Sequence, residues 1–361
     1  MRAGGLCCRT RAQHGHGGGA MAERKLGVGI VGIGWVSGEH IKAYKNNPHC
    51  QIVALCSHSR ENAEAARQRY NLTDARVYTD YEEMLRDERV DVVSICSMNH
   101  LHVPQGIAAA EAGKHVLIEK PAANDLEGLR RLERAITKAG VKSLVGFELH
   151  WSPFFQTIHK LIDADAFGKI YYGECDYFSG NWEKWYVGYH WVRTKEKGGS
   201  ALPAAGCHAV DALRQFMREE AVEVQAYSGN FTKVMEWDAT IITLVRFASG
   251  AIGKIGCVLE GNTPYTFNVR LHGPKGTLVN NRFYSHLLPG QTGWAEFPTI
   301  LPDTPQVTHH PFQPEIDHFI DCILNDATPL VDIKDAVKTH EIMFAAEISA
   351  NERRPVSLPL P

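Results

Sequence analysis

Residues 198–211, GGSALPAAGCHAVD, place one imidazole and one carboxylate in an otherwise small and apolar run. His208 and Asp211 are three residues apart, so they share a face if this segment is helical. An imidazole with a pKa near ~6.5 is suited to removing a hydroxyl proton at neutral pH, and Asp211 could orient the ring or stabilise its charge. The alternative is a core histidine, with Asp211 at the surface or at a helix N-terminus.

Lys120 is a second residue able to do chemistry. It lies in GKHVLIEKPAA, directly after a short apolar run. A lysine there is at the carboxyl end of a predicted strand, which is the edge where open α/β sheets bind ligands. Its ammonium would hold a hydroxyl oxygen and stabilise negative charge that develops on it. A solvated loop lysine is the alternative interpretation.

The elements that would position Lys120 follow one repeated pattern of a short apolar run, a turn and a helical stretch. The apolar runs are LGVGIVGI, QIVALC, VDVVSIC, KHVLIE and KSLVGF. Continuous β-branched runs that alternate with amphipathic helices are typical of a parallel sheet covered on both faces. We therefore predict a Rossmann-type α/β dinucleotide-binding domain over residues 24–146.

A glycine-rich turn follows the first of these runs and opens a helix. Gly32 would permit the tight turn, and Gly34 would let the backbone approach a pyrophosphate whose charge meets the helix amides. Ser37 stands where a third glycine is usual, and it is small enough for the same helix–strand packing. The predicted cofactor contacts here are Gly32, Ile33, Gly34, Trp35 and Val36.

The second apolar run ends in CSHSR, with no Asp or Glu before Glu61. Selectivity for NAD usually rests on an acidic side chain at this point, whereas a 2′-phosphate calls for hydroxyls and a cation. Ser57, Ser59 and Arg60 therefore predict NAD or NADP as cofactor, with a preference for NADP. Arg60 as an ordinary solvated residue at a helix start is the alternative.

Residues 147–361 have a different character. Strand-like runs cluster in KIYYGECDYFS, VEVQAYSGNFTKV, ATIITLVRFASGAIGKIGCVLEG and YTFNVRLHGPKGTLVNNR, with turn signals at ASG and GPKG. Helical patterns return at HAVDALRQFM, PEIDHFIDCIL and DAVKTHEIMFAAEIS. Grouped strands with helices to one side predict an α+β domain with a large, mostly antiparallel open sheet.

An aromatic segment, NWEKWYVGYHWVR, precedes the glycine pair of the His208 stretch. Aromatic faces pack on the C–H faces of sugar rings, and tyrosine and tryptophan also bind hydroxyl groups. We predict a substrate pocket there, against the alternative of an aromatic strand face buried between subunits. The predicted substrate contacts are Trp182, Tyr186, Tyr189, His190 and Arg193.

The composition excludes several classes of function. The 361 residues are 44% hydrophobic and 22% charged, with a formal net charge of -3, so no nucleic acid or anionic membrane partner is indicated. No apolar run approaches the roughly 20 residues that span a bilayer. The scattered cysteines predict buried free thiols in a cytoplasmic protein, and residues 1–23 predict a disordered tail without a secretory signal.

No metal site is predicted from the spacing of histidines and cysteines. Neither His309-His310 nor the pair His100 and His102 comes with carboxylate partners in a recognised ligand motif.

The glycine turn together with VDVVSICSMNHLHVPQGIAAAEAGKHVLIEKP resembles the glucose-fructose oxidoreductase/inositol dehydrogenase/MocA family. PEIDHFIDCILNDATPL and RRPVSLPL also resemble that family's closing helix and strand, so the resemblance runs from residue 26 to Leu360. It implies an NAD(P)-dependent dehydrogenase or reductase acting on a sugar, polyol or glycoside, and a homodimer or homotetramer. The resemblance further implies that the sheet of the second domain forms one side of the substrate pocket.

The resemblance also implies roles for individual residues. Lys120 would contact both cofactor and substrate, and His208 would be the general base. Further cofactor contacts are implied at Ser97, Asn99, His102 and Glu119, which follow the predicted strands.

One position departs from the family pattern: an aspartate is frequent four residues before the histidine, and this chain has Ala204. Its loss would lower the pKa of the imidazole and remove an anchor for substrate or lysine. Two other functions therefore stay open, a redox-neutral glycosidase that uses NAD catalytically and a nucleotide-sensing regulator without turnover. A regulator would need neither Lys120 nor His208.

Overall fold

A computed structural model describes residues 24–180, 190–299, 301 and 310–361 of the chain. The predicted disordered tail, residues 1–23, lies outside this part of the chain. The described residues form two sheets, each with helices against it, and the predicted fold class is confirmed. None of their helices combines the length and apolar character needed to cross a membrane.

The first sheet is parallel throughout and has the strand order β3-β2-β1-β4-β5-β6 among the described residues. The order reverses between β1 and β4, which opens a crevice for ligands at the carboxyl ends of these strands. The strands are β1 Leu26–Val31, β2 Cys50–Cys56, β3 Arg76–Tyr78, β4 Val92–Ile95, β5 His115–Ile118 and β6 Ser143–Val145.

Five of these six strands follow the predicted apolar runs, but β3 has no counterpart among them. It contains three residues, none of them fully buried, so it has no continuous apolar signal. The helices that cover this sheet are α1 Trp35–Asn46, α2 Arg60–Arg69, α3 Tyr81–Leu85, α4 His102–Glu111 and α5 Leu126–Ala139.

The second sheet has the order β14-β13-β12-β11-β7-β10-β9-β8-β15 within the described residues. Its strands pair antiparallel except for β7 with β10, which are parallel. The strands are β7 Tyr172–Gly180, β8 Ala221–Gly229, β9 Thr240–Phe247, β10 Ile252–Gly261, β11 Thr266–Gly273, β12 Gly276–Val279, β13 Arg282–Ser285, β14 Ala295–Glu296 and β15 Val356–Ser357.

The two predicted turns of this sheet are present. ASG separates β9 from β10, where Gly250 has a φ of +88°, and GPKG separates β11 from β12. The predicted strand VEVQAYSGNFTKV is too long, because β8 ends at Gly229 and the NFTKV residues form a turn. Asn230 stabilises that turn by donating a side-chain hydrogen bond to the Met235 carbonyl at 2.7 Å.

Besides the one-turn helix Lys195–Gly198, the described residues contain four further α-helices: α6 Pro153–Asp163, α7 Cys207–Met217, α8 Phe312–Leu324 and α9 Ile333–Glu352. The last two pack back onto the nucleotide half, across the predicted domain boundary at residue 146. Asn47 at the end of α1 donates to Asp317 of α8 at 2.8 Å. Three α8 side chains, Ile316, Phe319 and Ile320, complete the core formed by β1, α1 and β2.

Candidate active site

The candidate site lies where the carboxyl edge of the first sheet meets the beginning of α7. Lys120 follows β5, and its Nζ atom donates to the carbonyl of Ala204 at 3.4 Å. Ala204 belongs to a short π-helical turn, Leu202–Gly206, which runs directly into α7. Because His208 is the second residue of α7, the fold brings the predicted lysine and histidine segments together.

His208 is enclosed on all sides and only 2% exposed. Neither ring nitrogen has a hydrogen-bond partner among the described residues. Phe147 contacts the ring edge-on and Tyr177 lies parallel to it, with centroid distances of 6.1 and 6.3 Å. Burial lowers the pKa of His208 to about 3, although the Glu148 carboxylate opposes this shift. The ring is therefore neutral at physiological pH.

Glu148 is the acidic group beside His208. It follows β6 and is itself buried, with its Oε1 atom 3.7 Å from His208 Nε2. His310 Nδ1 also hydrogen-bonds Oε1. Burial opposes ionisation of Glu148, but the neighbouring His208, His310 and Lys120 side chains and this hydrogen bond outweigh it. The pKa of Glu148 is consequently held well below its usual range.

Neither Glu148 nor His310 is among the site residues predicted from the sequence. His310 has no carboxylate partner in a recognised sequence motif, because its partner Glu148 lies 162 positions away in the chain. Glu148 carried a usable signal, since it directly follows an apolar run whose carboxyl end must lie at the ligand-binding edge.

Asp211 hydrogen-bonds His150 and not His208, although its charge also favours the protonated form of His208. Its carboxylate accepts hydrogen bonds from His150 Nε2 at 2.6 Å and from the Thr339 hydroxyl at 2.9 Å. It is buried, so the alternative of a surface residue is wrong, and it makes no hydrogen bond to His208. Burial opposes its ionisation, yet the His150 charge and hydrogen bond bring the pKa of Asp211 below its usual value. Asp211 thus anchors α7 to its neighbours.

The glycine-rich turn has the shape that a dinucleotide requires. Gly32 has a φ of +86°, and a Cβ atom there would lie 2.5 Å from the backbone of Ser97, so only glycine fits. Gly34 faces open space, because a Cβ atom at this position would meet no other residue within 4 Å. Ser37 is buried against this turn, and its hydroxyl donates to the Gly34 carbonyl at 2.8 Å.

The start of α1 completes the cradle. Its first turn has no acidic residue, which leaves the positive end of the helix to an anionic ligand. Trp35 is 54% exposed there, while Ile33 and Val36 are half-buried. This arrangement fits the pyrophosphate of a dinucleotide.

The loop after β2 is held by its own serines. Ser57 is buried and accepts from the backbone amide of Ser59 at 3.3 Å. Ser59 caps α2 by accepting from the Asn62 amide at 3.2 Å. Arg60, the first residue of α2, is exposed at this edge.

The remaining predicted cofactor contacts hydrogen-bond to protein groups around the crevice. Ser97 donates to the Gln105 side chain at 2.6 Å, and Asn99 donates to the Gly198 carbonyl at 3.1 Å. His102 lies between the carbonyls of Pro121 and Ser97, at 2.7 and 3.0 Å. Glu119 bonds His40 at 2.9 Å. These bonds fix the crevice walls, and the contacts with a cofactor stay predictions.

The predicted substrate residues Trp182, Tyr186 and Tyr189 lie outside the described residues. His190 and Arg193 belong to a single helical turn, His190–Arg193, in which His190 is exposed and Arg193 half-buried. Trp237 anchors this turn by donating to the Val192 carbonyl at 3.0 Å.

Two sequence matches to a known family agree with this geometry. Residues 26–147 match an oxidoreductase family with an NAD-binding Rossmann fold, and residues 155–279 match the C-terminal domain of the same family. The chain belongs to the Gfo/Idh/MocA family. Its nucleotide half is accordingly the NAD-binding domain of an oxidoreductase family.

Several Gfo/Idh/MocA relatives are named sugar or polyol dehydrogenases. The chain is 25% identical to D-apiose dehydrogenase of Paraburkholderia graminis over 91% of this chain and 88% of that protein. It is 25% identical to scyllo-inositol 2-dehydrogenase (NAD(+)) of Bacillus subtilis over 93% of this chain and 97% of that protein. The solved WlbA dehydrogenase of Bordetella pertussis, in complex with NADH and UDP-GlcNAcA, is also similar. It has a TM-score of 0.80 and 25% identity over 94% of this chain and 100% of that one.

Proposed function

We propose that this Gfo/Idh/MocA protein transfers hydride between a nicotinamide cofactor and a secondary hydroxyl or keto carbon of a sugar, polyol or glycoside. The observation that carries the proposal is the approach of Lys120, from the edge of the first sheet, to the turn that leads into His208. Lys120 supplies a cation and His208 supplies a neutral base, and hydride transfer from an alcohol requires both kinds of group.

The nicotinamide, when bound, supplies or accepts the hydride. Gly32 and Gly34 give the pyrophosphate its close approach, and the amides at the start of α1 face its charge. Lys120 is the residue that holds the substrate oxygen and stabilises negative charge on it.

His208 takes the hydroxyl proton in the direction of oxidation and returns it in the direction of reduction. Its low pKa keeps the ring neutral, so a lone pair is available throughout the physiological pH range. The Glu148 carboxylate, 3.7 Å from Nε2, stabilises the imidazolium that forms when the proton arrives.

NADP is proposed to bind in preference to NAD. The support is the absence of any acidic residue between Cys56 and Arg60 in the sequence and the exposure of Arg60 at the start of α2. A guanidinium is well suited to a 2′-phosphate, with which it can form two parallel hydrogen bonds.

The test is a screen of polyols, monosaccharides and glycosides with NAD or NADP, followed by the absorbance of the reduced nicotinamide. On an active substrate, Lys120→Met and His208→Asn are expected to lower kcat by roughly 100-fold to 10,000-fold. Lys138→Met and His49→Gln change exposed residues of the same types and should keep the parent rate.

Cofactor binding by Lys120→Met and His208→Asn is measured through nicotinamide fluorescence. If both variants still bind the cofactor, a lower kcat shows that the chemical step is impaired. Unchanged turnover in Lys120→Met and His208→Asn would refute the assignment of the pair.

Ala204 favours a redox-neutral glycosidase as the second candidate. Lys120 meets a backbone carbonyl at this position, where the family frequently supplies a carboxylate. In the same screen, a glycosidase releases the aglycone of a glycoside without any net change in reduced nicotinamide.

A further inference from the structure

Three side chains from separate elements converge beside the proposed substrate crevice. Glu148 follows β6, His208 lies in the first turn of α7, and His310 precedes α8. One ligand-type atom of each, a carboxylate oxygen or an imidazole nitrogen, lies within 4.8 Å of the other two. Glu148 and His208 are buried, and His310 is nearly so.

The buried ring nitrogens of His208 are the feature that indicates a ligand. Buried polar atoms almost always have a hydrogen-bond partner, because an unpaired one loses its hydrogen bonds to water without replacement. His208 has two ring nitrogens with no partner among the described residues, and Nε2 is directed to within 3.7 Å of the Glu148 carboxylate. An electron-pair acceptor between Nε2 and the Glu148 carboxylate would give this ring nitrogen a partner.

We infer that Glu148, His208 and His310 form a binding site for a divalent transition-metal ion, with Zn²⁺ as the best fit. Two imidazoles and one carboxylate are the protein ligands of a common class of catalytic zinc sites, and they leave at least one coordination position open. The same donor set also accommodates Fe²⁺ or Mn²⁺, but neutral imidazole ligands favour Zn²⁺ among the abundant ions.

The distances are close to those that the ion requires. Bonds of about 2.0–2.2 Å in a tetrahedral site place ligand atoms about 3.4 Å apart. The 3.7 Å between His208 Nε2 and Glu148 Oε1 is near this value already. His310 shares the same carboxylate oxygen, so a small outward movement of its ring opens the space between the three atoms.

The local charge is also compatible. A neutral imidazole and an ionised carboxylate are the forms of these side chains that bind a metal ion. A dication held by one carboxylate keeps a surplus positive charge, to which nearby Lys120 adds. The open position therefore favours a negatively charged or polarised oxygen.

The catalytic meaning of this site rests on the proposed function, whereas the binding itself does not. An ion held by these three side chains would act as a Lewis acid and polarise a substrate hydroxyl or keto oxygen bound at its open coordination position. His208 would then be a metal ligand and could not be the general base, because the lone pair that binds the ion is not available to a proton. The substrate oxygen would thus be activated by the ion in the metal-loaded protein and by His208 in the metal-free protein.

The test uses Co²⁺ as a spectroscopic probe on the full chain after dialysis against a chelator. We expect one Co²⁺ per chain, with visible absorption bands of a four- or five-coordinate ion that disappear when Zn²⁺ is added. Glu148→Gln and His310→Gln should weaken Co²⁺ binding by roughly 100-fold, while His49→Gln, an exposed histidine, should bind like the parent.

X-ray absorption of the Co²⁺-loaded parent makes the result independent of how the variants fold. It should report two imidazole nitrogens among the ligands. No stoichiometric binding by the parent, or equal affinity in Glu148→Gln and His310→Gln, would overturn the inference. Because binding is read without turnover, a protein that binds Co²⁺ but converts no carbohydrate refutes only the proposed function.

Discussion

Arg60 is the exposed cation at the edge where the second strand ends, and the serines before it are engaged with the loop. Ser57 and Ser59 each accept a hydrogen bond from a backbone amide, which leaves their hydroxyl protons available to a hydrogen-bond acceptor. The guanidinium therefore supplies the positive charge that an adenosine 2′-phosphate would meet at this position.

Arg60→Ala should weaken NADP binding by roughly tenfold and leave NAD binding nearly unchanged, because only NADP carries the phosphate that the guanidinium would bind. Titration of each cofactor by fluorescence gives the two dissociation constants. Arg69→Ala removes a cation from the other end of α2 and is the matched control. An equal loss for both cofactors would contradict a role for Arg60 in selectivity.

At the scale of single residues, the sequence predicts those side chains that lie beside a recognisable pattern. Lys120 follows an apolar run, and the glycines open a helix, so both could be placed at the sheet edge. The hydrogen bonds of Asp211 to His150 and Thr339 join residues 61 and 128 positions apart. No local periodicity encodes such pairs, so the sequence does not reveal the hydrogen bond between Asp211 and His150.

Helix α9 fixes the loop that carries Lys120. His340 in this helix is fully buried, and its Nε2 atom accepts a hydrogen bond from the Ala122 amide at 2.9 Å. Its Nδ1 atom donates to the Ala336 carbonyl at 2.7 Å. The two bonds require a neutral ring with its proton on Nδ1. Burial lowers the pKa of His340 to about 4.

This arrangement makes the stability contribution of His340 dependent on pH. The folded pKa is below the unfolded value of about 6.5, so the contribution is complete above pH 6.5 and is lost as the pH falls towards 4. The free-energy gap between the parent and His340→Gln should therefore narrow by about 2 kcal/mol between pH 7.5 and pH 5.

Urea unfolding at the two pH values measures this gap. Val337→Ala, a buried change in the same helix without a titrating group, should cost the same free energy at both. A gap for His340→Gln that is constant with pH would show that the ring does not titrate as described.

The sequence predicted most elements because their periodicity is long and regular. β9 is the clearest example, since its residues alternate between buried and exposed along TIITLVRF. β3 has no such alternation, because it contains only three residues and none of them is fully buried. The end of β8 is not visible in the sequence either, because an asparagine side chain holds the turn that follows it.

The outer face of the second sheet exposes several large apolar side chains among charged ones. Leu244 and Ile242 of β9 point outward, Tyr227 of β8 lies opposite Ile242, and Ile252 of β10 belongs to the same face. Tyr227 is 72% exposed and Leu244 is 50% exposed. A group of exposed large apolar side chains on one face of a sheet is typical of an interface between proteins.

We predict that two copies of the chain pair through this face as a homodimer, or as part of a homotetramer. Leu244→Lys should produce monomers, because it places a charge in the middle of the interface. Light scattering coupled to size-exclusion chromatography gives the mass. Leu330→Lys, an exposed leucine outside this sheet, should leave the mass unchanged. A parent protein that elutes as a monomer would count against the prediction.

The return of α8 onto the first sheet has a consequence for biosynthesis. Ile316, Phe319 and Ile320 fill part of the core between β1, α1 and β2, yet they are translated almost three hundred residues after β1 begins. The emerging nucleotide half is thus missing three of its interior side chains until residues 316–320 have left the ribosome. Its core is completed only when α8 can pack against it, so a nascent chain stalled before residue 312 should be cleaved readily by proteases.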